Sequence, residues 1–195
     1  MTQNSQDVAE FLDEEEEAFA RKRLSLIAAT CFGFILLIIG VTAYNTAAFK
    51  ETLFAWVLAL GTSLLVAMLH FSACNWVFHR YALRVKRCDH QHIFAAIMTM
   101  LLVHIVEINI FAITLYVGHS WFDLGQLTNV ATQHFASYSY YSATSYTSLG
   151  LGDIAPTGSL RLITGIETLT GLIMIAWTGS LMIFAINKDW QRTGL

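Results

Sequence analysis

Charge is what this chain of 195 residues has least of: Asp, Glu, Lys and Arg make up 13% of it, against 55% hydrophobic residues. A soluble globular domain carries about 25% charged residues, so that class is excluded, and a mean hydropathy of +0.54 points to a membrane protein. The net charge of −3 is too small to call for an acidic or nucleic-acid partner. Proline occurs once, as Pro156, and cysteine three times, as Cys31, Cys74 and Cys88, with no CxxC pair. An odd number of thiols, two of them in apolar stretches, excludes a disulfide framework and a cysteine zinc site. The N-terminus offers no short apolar leader, since it opens acidic with Asp7, Glu10 and Asp13 to Glu17. The first apolar stretch is therefore expected to stay in the mature protein. Internal repeats are absent as well.

What the chain does have is long apolar runs. Leu24–Tyr44, Leu53 to about His70, Ile93–Val117 and Leu160–Ile186 each meet the roughly 20 residues needed to cross a bilayer. The stretch from Val130 to Tyr146 is only moderately apolar and rich in Ser, Thr and Tyr, which suits a half-helix buried in protein better than one facing lipid. The fold class is thus an all-α membrane protein: four transmembrane helices, with a re-entrant pore helix and a filter loop between the third and fourth. Four segments follow, namely 1–23 (charged, cytoplasmic), 24–92 (two peripheral spans and a basic connection), 93–186 (pore domain) and 187–195 (short cytoplasmic tail).

Orientation comes from the loop cations. Arg21, Lys22, Arg23, Arg80, Arg84, Lys86, Arg87, Lys188 and Arg192 fall on one side, Lys50 and Arg161 on the other, which places both termini in the cytoplasm. The patch Arg80, Arg84, Lys86 and Arg87 is suited to anionic lipid, although the positive-inside rule alone would also produce it. Neither of the first two spans has the regular arginines of a voltage sensor, and nine residues after Ile186 are too few for a ligand-binding domain.

Between the third and fourth spans runs YYSATSYTSLGLGDIAP, Tyr140 to Pro156. A monovalent cation that sheds its water needs closely spaced oxygens, and an extended backbone aiming successive carbonyls at one axis supplies them. Gly150 and Gly152 permit the left-handed dihedrals that turn alternate carbonyls inward, and the Ser148 hydroxyl can add a ring of oxygens at the inner end. The C-terminal end of the preceding half-helix directs partial negative charge toward the cavity. Asp153 can hydrogen-bond back to that helix or hold charge at the outer mouth. One such segment per chain, with oxygen rings around an axis, calls for a homotetramer.

TSLGLGD resembles the potassium-channel signature T-x-x-G-[YFL]-G-D, and its setting between two spans resembles that superfamily's pore module. Over roughly Leu101 to Phe184 the chain looks like the small bacterial ion-channel proteins related to two-pore-domain potassium channels. The resemblance implies a non-enzymatic potassium channel in a bacterial inner (plasma) membrane. It places the filter at Thr147, Ser148, Leu149, Gly150, Leu151 and Gly152, with K+ bound at Ser148, Leu149, Gly150 and Leu151 and no other cofactor. Gly171 falls where the family's inner helix bends, and Thr144 where many members keep a carboxylate. Leu151 replaces the usual Tyr and Ser148 the usual Thr, so a weakly selective cation pore is the alternative.

Ionisable residues in the spans need partners or roles. His104 and Glu107, three residues apart, share a helix face, and Thr164, Glu167, Thr168 and Gly171 form a similar face in the last span. These faces are expected to meet behind the filter, with His104, Glu107 and Glu167 bonding pore-helix hydroxyls such as Ser142, Thr144 and Ser145. Asp153, Thr144, Glu107, Glu167 and His104 together are the expected filter support. The reading from another class is a membrane metal-binding or redox protein using His104 and Glu107; a third is a non-conducting structural subunit.

Overall fold

The computed structural model describes residues 30, 32, 33, 40, 49–83 and 90–193. The chain divides into two compact units, 1–50 and 51–195. The expected first span at 24–44 lies outside the described residues, except for Thr30, Phe32, Gly33 and Gly40, which are helical. The acidic lead-in, Arg84, Lys86 and Arg87 also lie outside them.

Helix α1 (Phe49–Val77) continues into a π-helical turn, Phe78–Leu83. Helix α2 (His90–Phe122), a short helix α3 (Phe135–Tyr146) and helix α4 (Leu160–Thr193) follow. Two-residue strands β1 (Leu127–Thr128) and β2 (Ala155–Pro156) pair antiparallel between them. Among the described residues, three stretches are long and apolar enough to cross a membrane: Phe49–Arg80, Gln91–Phe122 and Leu160–Phe184.

The first of these runs ten residues beyond His70, where the apolar pattern falters at Ser72 and Asn75. Ser72 donates to the Met68 carbonyl at 2.7 Å, and His70 is bonded across to α2, so the helix need not end. Likewise α4 runs on to Thr193, and the residues expected as a tail form its last turns.

Without a hydrophobic force between helices in lipid, packing and interhelical hydrogen bonds hold a bundle together. Ala55 and Ala59, both fully buried, form a small-x-x-x-small face on α1 and pack with Ala112 and Leu115 of α2. The same face continues through Thr62, Val66, His70 and Cys74. Thr62 and Thr114 share a hydroxyl hydrogen bond of 2.9 Å, and Thr170 of α4 donates to Ser63 at 3.0 Å. The second expected span is therefore bonded directly to both α2 and α4. Deeper in the bundle, Val66, Phe111, Tyr146 and Met174 bring residues of all four helices into one cluster.

The segments on either side of α3 and its following loop are latched together. Asp123, at φ 49°, ends α2, and the Leu124 N–H returns to the Gly118 carbonyl at 3.0 Å. Thr157 N–H donates to the Gln126 carbonyl at 2.9 Å, while Gln126 N–H donates to the Thr157 hydroxyl at 2.9 Å. A Cβ on Gly125 would come 2.2 Å from the Thr157 carbonyl oxygen, and one on Gly158 2.5 Å from that of Leu124. Only glycine admits this crossing, and both residues have positive φ.

Candidate functional site

Helix α3 ends in carbonyls that its own following loop occupies. Thr147 N–H reaches the Ala143 carbonyl at 3.3 Å, Ser148 N–H that of Ser145 at 2.9 Å and Gly150 N–H that of Thr144 at 3.1 Å. The Thr147 hydroxyl also donates to Ala143, at 2.7 Å. The negative helix end expected to face a cavity is thus used first to pin the loop.

Beyond the cap, φ is positive at Ser148 (54°), Gly150 (53°) and Gly152 (78°). Left-handed residues therefore alternate with right-handed ones along Ser148–Gly152. Glycine meets this freely, whereas Ser148 holds it at a strain of about 1–3 kcal/mol. Ser148 was expected in this loop for its hydroxyl but not for its left-handed backbone, which only the glycines advertise. Thr147 to Asp153 are all exposed within the protomer, including the apolar Leu149 and Leu151.

Asp153 accepts a hydrogen bond from Tyr140 at 2.8 Å. It thus ties the loop's outer end back to α3, the first of its two expected roles. That bond holds the Tyr140 phenol above its ordinary pKa.

The ionisable residues of the spans meet α3 at two separate points. Glu167, fully buried on α4, bonds Ser142, whose oxygen also lies 2.7 Å from the Ile108 carbonyl. Glu107 does not reach Ser142 or Thr144. It accepts from the Tyr146 phenol at 2.6 Å, the last residue of α3. Thr144 turns its hydroxyl to the Tyr141 carbonyl of its own helix at 2.8 Å. Tyr146 was not among the expected partners because an aromatic at a helix end reads as packing; its hydroxyl makes it a polar anchor as well.

Around Glu107 a larger cluster closes. His104 Nδ1 lies 3.0 Å from Glu107 Oε2 and 3.2 Å from the Tyr146 oxygen; His70 Nδ1 lies 2.9 Å from Glu107 Oε1. On their far sides, His104 Nε2 and His70 Nε2 lie 3.0 and 3.3 Å from one hydroxyl, that of Thr178. Donor atoms of His70, His104 and Glu107 fall within 4.8 Å of one another, so these three residues could hold a metal ion. His70 was not singled out from the sequence, although a histidine in an apolar helix carries the same signal as His104.

Gly171, expected as a hinge, lies against α3. A Cβ there would stand 2.1 Å from the Tyr146 carbonyl oxygen and 2.9 Å from its Cγ. Its missing side chain lets the end of α3 seat on α4.

Long apolar helices enclosing a short helix, a left-handed loop and buried carboxylates define an integral membrane protein of the channel type. Residues 94–187 match the family described as ion channel, which supports a pore module of the potassium-channel superfamily in this segment. No curated protein and no solved structure matches the chain.

Proposed function

We propose that the protein is a potassium-selective channel, a homotetramer in which Thr147 to Gly152 of each chain contribute one quarter of the filter. Backbone carbonyls of Ser148, Leu149, Gly150 and Leu151, with the Ser148 hydroxyl, replace the water shell of K+. The observation that carries this reading is the alternation of left-handed φ at Ser148, Gly150 and Gly152 directly after the capped end of α3. Exposure of Leu149 and Leu151 in a single chain supports the assembly, because two large apolar side chains beside an ion path need neighbouring subunits to cover them. In this reading α3 is re-entrant, four helices span the membrane, and the latched 118–129 and 153–159 segments face outward. Both termini lie in the cytoplasm, the membrane is a bacterial plasma membrane, and the basic patch from Arg80 to Arg87 faces anionic lipid.

Purified protein in liposomes is expected to pass K+ well ahead of Na+ and to have the mass of a tetramer in detergent. A stable monomer, or the absence of cation flux, would overturn the proposal. A weakly selective cation pore is the second reading, favoured by the strained serine at 148, which has no β-methyl to fix its hydroxyl, and by Leu151. Equal K+ and Na+ flux would establish it instead.

A further inference from the structure

We propose that His70, His104 and Glu107 form a binding site for one divalent transition-metal ion of the zinc class, within the helix bundle beside the C-terminal end of α3. It does not depend on the conduction reading.

The convergence of ligand atoms of His70, His104 and Glu107 within 4.8 Å of one another carries the argument, and hydrogen counting accompanies it. A carboxylate has no proton to give, so if hydrogen bonds alone held the cluster, His70 Nδ1 and His104 Nδ1 would both carry hydrogen toward Glu107. With both imidazoles neutral, both Nε2 atoms are then bare acceptors facing the single hydrogen of Thr178. One of the two would meet an oxygen lone pair in a site where His70 and Glu107 are fully buried, an arrangement that costs stability. A proton on one imidazole or a metal ion resolves this.

An ion on the carboxylate side removes the conflict. Both imidazoles turn Nδ1 lone pairs to the metal and donate Nε2–H to the two lone pairs of Thr178 Oγ1, the outer-shell support that metal-bound histidines regularly have. Glu107 completes a His2Glu set, three protein ligands that zinc accepts with a fourth position left open. Zinc bonds of about 2.0–2.1 Å place tetrahedral ligand atoms roughly 3.3 Å apart. His70 Nδ1 and His104 Nδ1 already stand 2.9 and 3.0 Å from the two Glu107 oxygens. The His104 side chain, 16% exposed, gives a way in. The bound ion would tie α1 to α2, with Glu107 still holding the Tyr146 phenol at the end of α3.

The test uses full-length protein in detergent, stripped with chelator and titrated with Zn2+ or with Co2+ as a spectroscopic probe. Expected are one ion per chain and the visible absorption of tetrahedral cobalt. His70→Ala and Glu107→Gln should abolish binding; Thr178→Val should weaken it by about 10–100-fold. Should His70→Ala fail to assemble, His104→Ala serves in its place. Uptake of less than one-tenth of an ion per chain would overturn the proposal. So would equal uptake by wild type and Glu107→Gln, or histidine titration with no metal taken up, which would leave a proton-bearing network.

Discussion

Replacing Gly171 by Ala tests how α3 is held on α4. The new Cβ would sit 2.1 Å from the Tyr146 carbonyl oxygen and 2.9 Å from its carbonyl carbon, where ordinary contact begins at 3.4 Å. The helices must therefore separate by more than an ångström, and Tyr146 cannot swing aside. It is fully buried and its phenol is bonded to Glu107 at 2.6 Å. Overpacking of this kind costs about 1–3 kcal/mol, against which alanine's better helix propensity returns about 1 kcal/mol. On the same helix Gly165 and Gly179 have open space around them within the protomer. Alanine there should gain the propensity term without the clash. Thermal unfolding in detergent is expected to place Gly171→Ala below wild type and the two controls at or above it. A shift of about 2–4 °C per kcal/mol is usual for a soluble chain of this size. Cation flux should fall in Gly171→Ala alone, because the loop begins one residue beyond Tyr146. If Gly171→Ala melts at or above wild type, the close approach is not a constraint and the residue acts as a hinge that alanine merely stiffens.

Three further outcomes are expected. Gly152→Ala, where φ is 78° and no atom crowds the site, should leave the tetramer intact but abolish K+ flux, since each copy forces about 1–2 kcal/mol of left-handed strain into the filter; full flux in liposomes would contradict the channel assignment. Gly158→Ala, blocked by the Leu124 carbonyl oxygen at 2.5 Å, should open the 124–128 and 155–158 latch and speed amide hydrogen exchange there, with α1 unaffected. Asp153→Asn should return the Tyr140 phenol toward its ordinary pKa. In wild type that pKa is raised, so the contact is complete at neutral pH and is lost only as pH climbs through the raised value; ultraviolet titration that finds no difference between the two proteins would rule the contact out.

Much was legible in the residues themselves. Apolar runs marked the helices that are long and apolar enough to cross a membrane, because a bilayer demands length and composition that few other environments tolerate. TSLGLGD marked the loop because Gly150 and Gly152 declare backbone freedom in their chemical identity. Asp153, Glu107 and Glu167 were visible as charges in places where charge is rare. Partners were not visible. Whether Glu107 meets Thr144 or Tyr146, whether His70 joins His104, and why Gly171 lacks a side chain depend on the rotation and approach of helices distant in sequence. Local propensity does not encode those quantities. They arise only when small faces such as Ala55 and Ala59 let the backbones close, and the polar groups left inside must then find one another.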